Sequence, residues 1–208
     1  MLLNSIDSAD HLRIQLPPQL RRAGQARQAE FLAGRVAARA ALSGAGWTEA
    51  VEIGVREDRS PNWPFGMVGS ITHTRSYASA AVAKSHSVRA IGIDSEARFD
   101  RATAREIRSH IVSAGEFKWL PEGYSEELTL SLVFSAKESL YKALAPVVGR
   151  FFDFTDAEVV EIDPTTQALR LALRVDLNGE FRAGMEITAR YALSELVHTA
   201  VELPAAIA

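Results

Sequence analysis

Two carboxylates with one residue between them, Asp94 and Glu96, follow the apolar run Ile91-Gly92-Ile93. Along an extended chain, residues two apart project to the same face, so both acids would aim at one point. Anions held that close repel each other, and a hard divalent cation relieves the repulsion. Mg²⁺ takes oxygen ligands and retains waters, so it is usually held by one or two carboxylates together with substrate phosphate. A solvated strand end carries the same pair of acids, so the pair alone does not specify this chemistry.

A second constellation is Phe134-Ser135-Ala136-Lys137-Glu138-Ser139-Leu140-Tyr141-Lys142. On a helix, Glu138 and Lys142 form an i, i+4 pair with Ser135 one turn earlier, while Lys137 and Tyr141 form a neighbouring column. A third is Val68-Gly69-Ser70-Ile71-Thr72-His73-Thr74. Gly69 permits close backbone approach, and Ser70, Thr72 and Thr74 would share one side of a strand with His73 on the other. The fourth is basic. Arg27, Arg35 and Arg39 fall within about a third of a helix circumference, and Arg56 and Arg59 follow in a loop. Guanidinium forks suit phosphate monoesters, binding two oxygens at once. Taken singly, each of these also describes a solvated polar face or a satisfied core histidine.

The elements that must position these side chains can be read from periodicity. A helix is expected from about Arg21 to Leu42, with Leu32, Val36 and Ala40 as its apolar stripe and Ala29 and Ala33 beside it, stopped by Ser43-Gly44-Ala45-Gly46. Strands are expected at Val68–Thr72, Tyr77–Ala83 and Arg89–Asp94, with Lys84–Ser87 as a hairpin turn. A helix over Arg101–Ser109 precedes a stronger one over Glu126–Leu144, capped by Ser125 and ended by Pro146 and Gly149. Val133, Ala136, Leu140 and Leu144 would be its buried face. Four strands should follow, at Ala157–Ile162, Ala168–Leu173, Glu180–Ala189 and Glu195–Val201, separated by Asp163-Pro164 and Asn178-Gly179 turns. Helices mixed with hairpins, rather than strict βαβ alternation, predict an α+β fold.

The 208 residues are 47% hydrophobic and 24% charged, enough for one domain or two closely packed lobes. A net charge of −3 gives no global basic field, which argues against a nucleic-acid binder and confines any anion site to a local cluster of Arg and Lys. The absence of cysteine removes disulfides, thiolate metal sites and cysteine nucleophiles, and makes a reducing cytoplasm the simplest location. The first residues are acidic and too short in apolar length for a signal peptide, and no run approaches the ~18 apolar residues of a membrane span.

Taken together, the four segments resemble the phosphopantetheinyl transferase superfamily. The resemblance rests on G-I-D-S-E at Gly92–Glu96 and F-S-A-K-E-S-L-Y-K at Phe134–Lys142. It is reinforced by W-P-F-G-M-V-G-S-I-T-H-T at Trp63–Thr74 and R-Q-A-E-F-L-A-G-R-V-A-A-R at Arg27–Arg39, which point to the branch holding the enterobactin-synthase and mycobacterial-type enzymes. It runs from about Arg27 to Lys142. Two positions depart from the pattern: Ser95 stands where an aliphatic residue is common, and Phe134 where Trp is common.

The resemblance implies transfer of the 4′-phosphopantetheine arm of coenzyme A to a serine hydroxyl of an apo acyl or peptidyl carrier protein, with release of 3′,5′-ADP. Asp94, Glu96 and Glu138 match magnesium-binding acids, with Mn²⁺ an alternative ion, and Glu138 is also the candidate general base. Lys142 and Lys137 match lysines near the reacting centre. His73 matches a histidine on the coenzyme A phosphates, with Thr72 beside it. Arg27 and Arg35 match residues gripping the 3′-phosphate, Arg39 is a third, and Arg56 and Arg59 compete for a further loop contact. The implied fold is a monomer of two similar α+β lobes, 1–86 and 87–208, with the active site in the cleft between them; the trimeric relatives have chains of one lobe only. Another Mg²⁺-dependent phosphotransferase or phosphodiesterase, and a non-catalytic coenzyme A or carrier-protein binding module, are the alternative readings.

Overall fold

The computed structural model describes residues 14–49, 51–113, 115–116 and 120–205. Its chain divides into two compact units, one running to Ile91 and rejoined from Leu203, the other Gly92–Glu202. Both contain helices together with antiparallel ladders, an α+β arrangement.

In the first unit, helix α1 spans Gln25–Gly44. It begins four residues later than periodicity predicts, because Gly24 is extended and Gln28 Nε2 donates to the carbonyls of Arg21 and Ala23, holding the preceding chain in a turn. Its buried side also differs from the expected stripe. Ala29, Leu32, Arg35, Ala38 and Leu42 face inward, while Val36 is half-buried and Ala40 exposed. So many alanines carry little directional signal, and the larger Leu42 sets the face. Short strands β1 (Gly54–Val55) and β2 (Pro61–Asn62) pair with each other, as do β3 (Met67–His73) and β4 (Ala78–Lys84). Ala38, Leu42, Ile53 and Met67 form the core, with Trp47, Trp63, Ile71 and Val82 packed against it.

The turn at Lys84–Ser87 closes with Ser87 N donating to Lys84 O at 2.9 Å. It is not the turn of a hairpin within one sheet, because β5 (Val88–Ala97) runs beside β9 (Leu196–Pro204) in a five-stranded sheet of order β5-β9-β8-β7-β6. The other strands are β6 (Ala157–Asp163), β7 (Ala168–Leu173) and β8 (Glu186–Leu193). Period-two burial is clear: Leu169, Leu171 and Leu173 on β7, Ile187, Ala189 and Tyr191 on β8, and Val197, Thr199 and Val201 on β9 face inward. Strand β8 starts at Glu186 rather than Glu180, because the Asn178 side chain accepts from the amides of Glu180 and Phe181 and keeps that stretch a turn, with Phe181 buried beneath it.

Two helices complete this unit. Helix α2 (Arg101–Ile111) is capped by Asp100, which accepts from Thr103 N at 2.7 Å. Helix α3 (Glu126–Val148) is capped by Ser125, and Val133, Ala136, Leu140 and Leu144 are its buried face, as their spacing predicts. Pro146 does not end it. The proline lies inside the last turn, where its missing N–H costs one helical bond, and the helix stops at Gly149 with φ 70°.

Candidate active site

The second unit brings the acidic strand end and the α3 motif together through a glycine. A Cβ on Gly92 would lie 1.8 Å from Ser139 O and 2.6 Å from Ala143 N, so only glycine lets β5 lie directly on the α3 backbone. The contact is reinforced from β9. Thr199 Oγ1 lies 2.9 Å from Ser135 Oγ and 2.7 Å from Ser139 Oγ, and it donates to Ser135 O at 2.8 Å. All three hydroxyl residues are buried.

This packing sets the next turn of α3 beside Asp94. Lys142 Nζ lies 2.7 Å from Asp94 Oδ1 and donates to Ile93 O at 3.2 Å. Glu96 and Glu138 are half-buried in the same neighbourhood. Burial lifts the Glu96 carboxyl from its ordinary 4.5 to about 7; the Asp94 charge is the next cause, Lys142 opposes it and Glu138 adds to it. Glu138 is also raised, by burial first, with Lys142 opposing and Asp94 adding. Asp94, Glu96, Glu138 and Lys142 therefore form one coupled charge cluster.

The donor set is all oxygen and its charges oppose one another, which fits a hard cation such as Mg²⁺ or Mn²⁺. As they stand, no three acidic or histidine side chains among the described residues are gathered closely enough to hold a metal ion. The Lys142 ammonium supplies positive charge at Asp94. Ser95, between the two acids, is buried on the opposite face, where its Oγ lies 2.9 Å from His198 Nδ1.

Lys137 has a different place from the one expected. It is 3% exposed, ion-paired with Glu116 at 2.7 Å, and donates to Ile111 O at 2.7 Å and Phe154 O at 3.0 Å. Burial lowers its pKa and Glu116 opposes the shift; none of Asp94, Glu96 and Glu138 is among the charges acting on it. The Lys137 ammonium is thus engaged away from the Asp94 neighbourhood.

In the first unit, Arg27 Nη1 lies 3.0 Å from His73 Nε2 and 3.2 Å from Glu30, whose carboxylate is 3.9 Å from His73 Nδ1. Thus α1 and β3 join a guanidinium and an imidazole at one half-exposed point. Arg35 is not on the solvated face with them. It is 7% exposed, donates to Ile53 O at 2.7 Å and Gly54 O at 3.2 Å, and stacks on Phe31 with 4.4 Å to the ring centroid. Burial, then the Arg27 charge, lowers its pKa from 12.5 to about 10.

Arg39 is half-buried, and Arg56 and Arg59 are exposed in the turn before β2, with Arg56 Nε 3.4 Å from Asn62. Thr72 is buried on the face opposite His73. The room at Gly69 is filled by Trp63, whose indole N–H donates to Gly69 O at 2.9 Å. Three functional neighbours were not anticipated. Glu30 could have been found three residues after Arg27 on one helix face; Glu116 and Thr199 stand in no pattern with their partners.

The family described as 4′-phosphopantetheinyl transferase N-terminal domain matches residues 16–83, and the 4′-phosphopantetheinyl transferase superfamily matches residues 90–194. Enterobactin synthase component D of Salmonella typhi is 37% identical over 165 residues, 78% of this chain and 68% of that protein. The Escherichia coli K12 protein of the same name is 43% identical over 126 residues, covering 60% and 58% of the two chains. The 4′-phosphopantetheinyl transferase PptT of Mycobacterium tuberculosis is 32% identical over 173 residues, covering 82% and 75%.

Proposed function

Because the chain belongs to the 4′-phosphopantetheinyl transferase superfamily and transfers phosphopantetheine to a carrier protein, we propose that the Asp94, Glu96, Glu138 and Lys142 cluster is its reaction centre. Arg27 and His73, with Arg39 and the loop residues Arg56 and Arg59, would bind the phosphates of coenzyme A. The observation that carries this reading is the charge cluster itself. Three carboxylates coupled through their like charges share one neighbourhood with an ammonium where β5 lies on α3, in the two segments that carry the family motifs.

Asp94, Glu96 and Glu138 would hold Mg²⁺, or Mn²⁺, once their side chains close on it. When bound, the cation neutralises pyrophosphate charge. Glu138, whose carboxyl burial holds above its ordinary range, takes the proton of the carrier serine. The serine oxygen forms its bond to the β-phosphorus, the bond from that phosphorus to the bridging oxygen breaks, and 3′,5′-ADP leaves. Lys142 turns its charge to the phosphoryl oxygens as charge develops on them. Arg27 and His73 hold the 3′-phosphate, remote from the reacting atoms, so their binding energy positions without being altered by reaction. The reading keeps two similar lobes, 1–86 and 87–208, sharing the ligand, and a monomer working in the cytoplasm, which the cysteine-free composition suits.

The test is incubation with coenzyme A, Mg²⁺ and a panel of apo-carriers. A mass gain of one phosphopantetheine arm on the carrier is expected, lost with chelator. Glu138→Gln should lower turnover by orders of magnitude with little change in coenzyme A binding; near-normal turnover removes Glu138 from the base role.

A further inference from the structure

We infer that Lys137 and Glu116 are positioning residues whose buried ion pair sets the rotation and height of α3, and through it the aim of the Glu138 carboxylate. The inference rests on Glu138 being the base of the proposed reaction centre.

An ammonium has three hydrogens, and those of Lys137 meet three acceptors: Glu116 Oε1 at 2.7 Å, Ile111 O at 2.7 Å and Phe154 O at 3.0 Å. None remains for a phosphate. Glu116, 5% exposed, is equally committed. Its Oε1 also accepts from Val159 N at 2.9 Å and its Oε2 from Ser113 N at 2.7 Å. Ile111 is the last residue of α2, where unpaired carbonyls make the helix end negative and attract a cation. Phe154 opens the short 3₁₀ turn Phe154–Asp156, and Val159 lies on β6. One side chain of α3 is thus tied to the end of α2, to that turn and, through Glu116, to β6.

Phe134, one turn earlier on the same face, adds an apolar tie. It stacks on Phe154 at 5.3 Å and meets Phe99 edge-on at 5.5 Å. On another side of the helix, Ser135 and Ser139 are bonded to Thr199, and Gly92 lies on the backbone. Glu138, about 100° round the helix from Lys137, is left toward Asp94. A helix gripped by directional bonds on two sides has little freedom to turn, and a misplacement of about 1 Å can cost on the order of 100-fold in rate.

Stability does not explain why this pair is ionic. Replacing a buried ion pair by uncharged residues of similar volume is often neutral or stabilising. What such residues cannot reproduce is a set of bonds to fixed carbonyls and amides, which is a geometric constraint.

The test is Lys137→Met/Glu116→Gln, which removes both charges together, assayed beside Glu138→Gln. The expected result is a folded protein with KM for coenzyme A within about 2-fold of the parent and kcat lower by roughly 10- to 100-fold. Should the double variant not fold, Glu116→Gln alone, which keeps the lysine's two carbonyl bonds, is expected to show the same split. Parental kcat in a folded variant would reduce the pair to core packing and overturn the inference. So would a tenfold rise in KM for coenzyme A with kcat retained, because Lys137 would then touch substrate. If Glu138→Gln keeps its turnover, the base assignment fails and the positioning inference falls with it. If Glu138→Gln loses turnover while the pair variant does not, only the positioning inference is lost.

Discussion

Gly92 and Ser139 touch through their backbones, with the Ser139 carbonyl oxygen 1.8 Å from where a Gly92 Cβ would stand. Two motifs whose contacting residues, Gly92 and Ser139, are 47 positions apart in the chain therefore depend on one missing methyl group. The same contact sets Lys142 on Asp94 and puts Glu138 within the field of Asp94.

Gly92→Ala should consequently behave as an active-site mutation without altering any reactive group. The backbone of α3 cannot yield as a side-chain tip would, so the strand must move away. Overpacking of this kind costs about 1–3 kcal/mol or more. A lower urea midpoint together with turnover reduced at least tenfold is expected; an alanine variant with parental turnover would show that the close approach does not matter.

How much of this could be read from the residues differs between the two units. The Ser125 cap of α3 and its Val133, Ala136, Leu140 and Leu144 side follow from spacing, whereas its other buried side, with Ser131, Ser135 and Ser139, gives no apolar signal. The inward side of α1 does not follow, because a helix built largely of alanine presents nearly equal faces. Arg35, a charged residue, is buried only because Ile53 and Gly54 offer carbonyls from a distant loop. The split between Lys137 and Lys142 was equally hidden. Both lie in one motif, and what separates them is Glu116, which sits 21 positions upstream of Lys137 with no periodic relation to it.

The buried setting of Arg35 changes the expected effect of removing it. Arg35→Ala leaves two carbonyls short of a donor where water enters poorly, at about 1–3 kcal/mol for each unsatisfied group. The prediction is a fall in the unfolding midpoint for Arg35→Ala. Arg27→Ala and His73→Ala should leave the midpoint nearly unchanged and weaken coenzyme A at least tenfold more than dephospho-coenzyme A. Calorimetric titration with both ligands decides; equal losses for the two ligands would mean that Arg27 and His73 do not read the 3′-phosphate.

A pH dependence follows from Glu96. Its folded-state pKa is raised from 4.5 to about 7, with burial the larger cause and the Asp94 charge the next. Between those values the folded protein holds a proton that the unfolded chain has released. The stability contribution is therefore full below the ordinary carboxylate value and declines as pH rises through about 7. In chelator, Glu96→Gln should match the parent in urea midpoint near pH 4.5 and exceed it near pH 8. A difference that is constant over that range would show that ionised Glu96 carries no penalty in the fold.

Lys142 yields the least intuitive expectation, because its effects on ion binding and on turnover have opposite signs. Its ammonium lies 2.7 Å from Asp94 Oδ1 and places a positive charge on that carboxylate. An arriving divalent ion must share or displace that charge. Lys142→Met removes the competitor and leaves three acids with less compensation, so Mn²⁺ should bind the ligand-free variant more tightly, on the order of tenfold for about 1.4 kcal/mol. The same substitution removes the group that meets the developing phosphoryl charge, so kcat should fall by roughly 100-fold or more, the scale seen when one preorganised donor is deleted. Calorimetric titration with Mn²⁺ and a carrier-modification assay on the same preparation test both halves. Weaker Mn²⁺ binding in the variant would mean that Lys142 orders Asp94 for the ion rather than competing with it.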